Sequence, residues 1–302
     1  MSKKIKSVII STAFAAVVAA SAAFSGCSVK SDHPTAEITV NFNNAEYVIE
    51  YKLYRNMYPR TVEHFIELAD EGFYDNMIIH DYTAGGDWFS GSYKYEEAEY
   101  KPDDFKSYLP TFSKEADYYS LYRDGKLTPT VFVEGSISEA GDKDAIALPT
   151  LIGEFSSNQH NIENGSLTAL SGCLKMYYYD KGDDKKVVSM LNSFDQVLVG
   201  DYNKNCATSV FSMQVGSSTY TADKYCVFGK VKDDSSKNIL NDLQDDIKEY
   251  IDDELSGQQS KFYTSVDTDV DLLDETVSGG KEVTFKVPNT PIVITSVKIT
   301  KY

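Results

Sequence analysis

Residues 58–88, YPRTVEHFIELADEGFYDNMIIHDYTAGGDW, constrain this chain more than any other stretch. Pro59 suits the first turn of a helix, because its fixed φ is helical and its missing N–H would have no partner there. Val62, Phe65, Ile66 and Ala69 follow at helical spacing and predict one apolar face against a core. Gly72, directly after Asp70 and Glu71, can adopt the left-handed conformation that ends a helix. Phe73-Tyr74-Asp75-Asn76 reads as a turn and Met77-Ile78-Ile79 as a short buried strand. His80 and the turn Gly85-Gly86-Asp87 come next.

The flanking segments are β-rich. Ile38, Val40 and Phe42, then Tyr47, Ile49, Tyr51 and Leu53, alternate with period two around Asn43-Asn44, which predicts a hairpin with one buried face. ATSVFSMQV (207–215), DKYCVFGKV (223–231) and VPNTPIVITSVKIT (287–300) read as further strands. Between the last two, Ile239, Leu240, Leu243, Ile247, Tyr250, Ile251 and Leu255 lie at helical spacing with acids opposite. Ser236 or Asn238 is the expected cap of this helix, near 237–255. Residues 256–280 are polar and acidic and read as a loop.

This order of parts resembles the cyclophilin-type peptidyl-prolyl cis-trans isomerases. That family carries a Pro-x-Thr-Val-x-x-Phe helix, a Gly-Tyr-Tyr-Asp turn, a Phe-His-Arg strand and a loop ending Gln-Gly-Gly-Asp. Pro59, Thr61, Val62, Phe65, Gly72, Tyr74, Asp75, His80, Gly85, Gly86 and Asp87 match it. LIGEFSSNQHNIENGSLTAL (151–170) parallels a family stretch that ends in a Leu-Ser-Met-Ala strand, with Glu154, Phe155, His160, Gly165, Leu167 and Ala169 in comparable places. Phe228-Gly229-Lys230-Val231 matches the penultimate strand, and Phe211 stands at the second phenylalanine of the family's Ser-Gln-Phe-Phe-Ile. The resemblance implies a mainly β fold: a closed antiparallel eight-stranded barrel capped by two helices. Large insertions fall at about 88–150, 177–202 and 256–280. Residues 37–302 would form this one domain.

The resemblance also locates a peptide groove and a defect in it. The family's catalytic arginine follows the histidine, and Asp81 holds that position here. An arginine there bonds the substrate near the twisting amide, whereas an ionised carboxylate offers no donor. The segment between Asp81 and Gly85 is too short for the family's pocket phenylalanine and glutamine. His80, Leu170, Ser171, Phe211, Tyr220 and Tyr225 are the groove residues the resemblance leaves. No catalytic residue is assigned. Arg55 and Arg60 belong to the scaffold, so Arg123, in the first insertion, is the one arginine left to reach the groove. Two readings follow: a weak isomerase acting on proline-containing segments of exported proteins, or a non-catalytic module binding a peptide or surface protein. The second would use the groove and the tyrosines of the first insertion (Tyr93, Tyr95, Tyr100, Tyr108, Tyr118, Tyr119 and Tyr122).

Residues 1–26 read as a signal peptide: Lys3, Lys4 and Lys6 precede an apolar run from Val8 to Phe24 that is short and rich in small residues. Phe24-Ser25-Gly26-Cys27 resembles a lipobox, which implies acylation of Cys27, a tether over 27–36 and a lipid anchor in the bacterial cell envelope. The formal charge of −17 becomes −20 once the three signal lysines are removed, so nucleic acid is excluded as a partner. The acidic surface would also repel anionic lipid, leaving the acyl chains as the membrane attachment. Cys173, Cys206 and Cys226 allow one disulfide among three pairings, or buried free thiols. His33, His64, His80 and His160 have no metal-ligand spacing, and no P-loop, dinucleotide or GxSxG motif occurs, so neither metal nor cofactor is expected.

Overall fold

Alternation in the first hairpin is realised as two strands, β1 (Thr35–Phe42) and β2 (Ala45–Leu53). Asn43 and Asn44 turn the chain between them with φ of 48° and 65°, the left-handed values that match the twist of a tight hairpin. The computed structural model describes residues 30–91, 93–95, 131–134, 147–155, 160, 167–177, 187–191, 197–201, 206–207, 209–216, 226–270 and 281–302. For 131–134, 147–150, 152, 187–191, 197–201, 206, 267–270 and 281–283 it describes the backbone alone. Residues Ser31–Tyr302 form one compact unit.

Helix α1 spans Pro59–Asp70 with Pro59 at its start, and Gly72 follows at φ 67°. Its buried face carries Val62, Phe65, Ile66 and Ala69 as the spacing predicts. Phe65 is fully buried and meets the rings of Tyr74, Phe211 and Phe228 at 5.1–5.4 Å. The helix N-terminus is satisfied from a distance: the buried Glu154 carboxylate accepts from Arg60 N at 3.1 Å and Thr61 N at 2.8 Å. A carboxylate there meets both unpaired N–H groups and the positive end of the helix dipole. His160 also belongs to this scaffold, with Nε2 2.9 Å from the Met57 carbonyl and its ring stacked on Tyr58.

The main sheet has nine strands, all paired antiparallel. Besides β1 and β2 it contains β3 (Met77–Ile78), β4 (Asp81–Tyr82), β5 (Asp87–Ser90), β8 (Cys173–Met176), β12 (Phe211–Gln214), β13 (Cys226–Val231) and β16 (Ile292–Lys301). Their order is β3-β16-β1-β2-β13-β8-β12-β5-β4. The two edge strands, β3 and β4, are pieces of one segment separated only by Ile79 and His80. Ile79 N donates to Ile292 O at one edge and His80 N to Phe89 O at the other, both at 2.9 Å. A sheet whose edges meet the same segment must be strongly curled. The strand count exceeds the expected eight because 77–82 is divided in two. Helix α2 (Asp234–Glu254) packs on β2 and β13 through the buried Leu240, Leu243, Ile247 and Ile251. Its cap is Asp233, which accepts from Ser236 N at 2.9 Å; neither expected residue caps it, and Ser236 is the donor.

The insertions carry sheets of their own. Strands β6 (Val131–Glu134) and β7 (Ala147–Ile152) from the first insertion join β9 (Val187–Leu191) and β10 (Val197–Asp201) from the second. With β11 (Cys206–Ala207) they form a five-stranded sheet ordered β10-β9-β6-β7-β11. Much of the stretch expected as a polar loop, 256–280, is also ordered. After a 3₁₀ turn at Gln259–Lys261 the chain forms β14 (Tyr263–Val270), which pairs with β15 (Lys281–Pro288). The family-like strand following Gly172 is β8, CLKM, whereas the matched residues 167–170 contain no strand. Cys173 and Cys226 are buried free thiols.

Candidate functional site

The residues around position 81 are set by the pairing of four strands. Cross-strand partners in an antiparallel sheet lie on the same face. Trp88, Leu174, Met176, Phe211 and Met213 point into the main core. The residues alternating with them form rows on the other face. Asp81 pairs with Phe89, Phe89 with Ser212 and Ser212 with Lys175, which makes one row across β4, β5, β12 and β8. Asp87, Gln214 and Cys173 form the next row.

Gly85 and Gly216 let the Gly85-Gly86-Asp87 turn press onto the end of β12. A Cβ on Gly216 would lie 1.7 Å from the Gly85 carbonyl oxygen, and Gly85 itself has φ 60°. Val215 N donates to Gly86 O at 2.9 Å across this contact. The turn therefore carries Asp87 to Lys175, whose Nζ lies 2.7 Å from Asp87 Oδ2, with both side chains more than nine-tenths buried. Ser212 Oγ donates to Asp87 Oδ1 at 3.4 Å. Burial lowers the Lys175 pKa, opposed by its bond to Asp87. The ammonium is thus held by a carboxylate rather than presented to a ligand.

Asp81 is tied to the hairpin of β14 and β15. Its Oδ1 accepts from the backbone N–H of Lys286 at 3.0 Å. Burial raises the Asp81 pKa; the Lys286 hydrogen bond and charge oppose this, and Asp87 adds to it. A carboxyl that holds its proton more tightly in the fold than in the unfolded chain costs stability when ionised, and the cost is relieved as pH falls through the raised folded value. Asp81→Asn keeps the acceptor oxygen and removes the charge. It should raise Tm at pH 7, and the gain should disappear below about pH 4, where the unfolded carboxyl is also protonated. Thermal unfolding at both pH values checks this; a lower Tm at pH 7 contradicts it.

Among the described residues, the predicted groove residues His80, Leu170, Ser171 and Phe211 are not brought together. His80 is buried, its ring edge-on to Tyr93 and Phe285 with centroids 5.2 Å away in both cases. Burial pushes its pKa down to about 3, so the imidazole is neutral. Phe211 is fully buried on the inner face against Phe65 and Tyr74, and so lies in the core. Leu170 is 49% exposed, and Ser171 donates to the Val215 carbonyl while accepting from Lys237 of α2. They precede β8, three strands and several residues from Asp81, on the order of 20 Å along the sheet. Tyr220, Tyr225, Arg123 and Cys27 lie outside the described residues. Arg55 is committed to the scaffold, with Nε 3.0 Å from Glu63 Oε2 and Nη1 2.7 Å from the Ser31 carbonyl.

Lys175, Ser212, Gln214 and Lys286 are the site residues that sequence reasoning missed. Lys175 alternates with Leu174 and Met176 and therefore reads as a solvent-facing strand residue. In β14, Thr264, Val266, Thr268 and Val270 alternate with polar residues, and that period-two signal was available.

The sequence profile described as Cyclophilin type peptidyl-prolyl cis-trans isomerase/CLD matches residues 37–260. The chain belongs to the cyclophilin family. No curated protein matches it. Among solved structures, a cyclophilin type peptidyl-prolyl cis-trans isomerase of Cryptosporidium parvum is 14% identical, with a TM-score of 0.43, covering 89% of this chain and 99% of its own. The same protein in the presence of dipeptide ala-pro gives the same values. Against the cyclophilin pattern, this member carries a carboxylate after His80, bonded to its own β15, and a lysine–aspartate pair on the same face. Among the described residues no group of His, Cys, Asp or Glu is placed to hold a metal, and no helix is long and apolar enough to cross a membrane.

Proposed function

We propose that this cyclophilin is a lipid-anchored protein of the bacterial cell envelope that holds proline-containing segments of exported proteins, with proline isomerisation slow. The observation that carries this reading is the Asp81 carboxylate bonded to Lys286 N where the family places its arginine. Isomerisation requires loss of amide resonance, against a barrier of about 18–20 kcal/mol. A group that bonds the amide only as it twists lowers that barrier; one that grips the ground state equally does not. Asp81 offers no donor when ionised. Lys175, on the same row of side chains, is engaged by Asp87. Contacts that grip the ground state do not depend on the arginine, so its loss removes turnover before binding.

The anchor rests on the lipobox-like Phe24-Ser25-Gly26-Cys27 after a basic and apolar leader. Two or three acyl chains, at about 0.8 kcal/mol per buried methylene, hold a protein to a membrane without help from surface charge. Mass spectrometry of membrane-extracted protein should find Cys27 acylated and residues 1–26 absent, and Cys27→Ser should release the chain. An unmodified Cys27 in the membrane fraction contradicts the anchor. NMR titration of the mature domain with Ala-Pro peptides tests the binding role, which falls if no saturable shift appears in either the wild type or Lys286→Pro.

A further inference from the structure

We infer that the hairpin of β14 and β15 is an autoinhibitory strap, which occupies the position of a bound peptide's backbone beside Asp81 and must lift before a peptide can enter. The inference rests on the binding role proposed above and adds its regulation. The contacts that hold β15 there run along residues 285–287. Lys286 N donates to Asp81 Oδ1 at 3.0 Å. Phe285 packs edge-on against the His80 ring at 5.2 Å. Val287 is fully buried in a small cluster with Ile78, Tyr93, Val266 and Val293, apart from the main core. The segment is extended and contains an X–Pro step, Val287-Pro288, so its chemistry is that of the ligand it displaces.

The strap is built to open more readily than the rest of the fold. A lone two-stranded ribbon is marginal in water. Among the described residues β14 and β15 pair with no other strand; they form a separate two-stranded sheet that leans on a satellite cluster of five buried residues and meets the main core at Tyr263. Elements held this way open at lower free energy than the core. Peptide affinity is then reduced by the fraction of molecules that are open.

The N–H of Lys286 points away from β14, because Asp81 is its acceptor. Lys286→Pro therefore removes the tether and leaves the hairpin ladder intact. Losing a hydrogen bond to a charged acceptor should raise the open population, and with it the affinity for an Ala-Pro peptide, by about tenfold or more. Phe285→Ala, which loosens the His80 contact instead, should act in the same direction. In both, amide exchange at residues 284, 285 and 287 should accelerate, and in wild type peptide binding should itself speed exchange at Lys286. Faster exchange with unchanged peptide affinity overturns the strap. So does a peptide that saturates wild type without disturbing Lys286, and that result leaves the binding role standing. If neither the wild type nor the opened variants bind peptide, both the strap and the binding role fall.

Discussion

Wild-type protein should isomerise an Ala-Pro test peptide at least ~100-fold more slowly than a cyclophilin that carries the arginine. Single donors aimed at developing charge or lone-pair density are worth about 2.7–4 kcal/mol in other enzymes, or ~100–1000-fold. Here the donor is replaced by an acceptor that already has a partner, Lys286 N. Asp81→Arg should restore little, for two reasons. The short segment between Asp81 and Gly85 leaves out the residues that shape the family's pocket. A guanidinium would also face the N–H of Lys286, with no acceptor there to replace the lost carboxylate. Exchange NMR on wild type, Asp81→Arg and Arg123→Ala checks this, and Arg123→Ala should change nothing. Full-speed turnover by wild type, abolished in Arg123→Ala, would overturn the reading and assign the donor to the first insertion.

Lys175→Met should destabilise the fold by about 3–5 kcal/mol, because it leaves a buried aspartate without its cation. Among the described residues, the Asp87 side chain then keeps the long contact to Ser212 Oγ at 3.4 Å. The pair itself is worth far less than this loss suggests, since burying two charges costs nearly what their attraction returns. Lys175→Met combined with Asp87→Leu should therefore recover most of the stability. Urea unfolding of both single variants and the double variant measures the coupling. A cost below about 1 kcal/mol for Lys175→Met would mean that water reaches the pair and screens it.

Much of the scaffold was legible because it depends on local chemistry. Alternation fixed β1 and β2, two asparagines fixed their turn, and Pro59 and Gly72 bounded α1 nearly to the residue. The site was less legible, since what decides it is long-range. Nothing local in CLKM distinguishes a buried lysine from an exposed one; its burial depends on Asp87, brought across β12 by the glycine contact at Gly85 and Gly216. Phe211 fits either face of a strand, and one residue of register separates a groove phenylalanine from a core one. Leu170 and Ser171 misled for a related reason: the Leu-Ser-Met-Ala match was placed on 167–170, whereas the strand in that position of the sheet is 173–176. The hairpin of β14 and β15 was hidden by acidic residues between its β-branched ones.

The pairing of β1 with β16 governs when this chain can fold. Residues 35–42 have their neighbour on one side at 292–301, and Ser31 N donates to Tyr302 O at 3.0 Å. Contacts between the two extremes of a sequence make folding slow, because the loop between them must close before they reward it. A chain threaded amino end first through a membrane pore would hold β1 and β2 as an unfinished sheet, with β1's outer edge bare until the final strand arrives. Such an edge is a template for pairing with other chains. Under such threading the first strands must stay apart from other copies until the final strand has emerged.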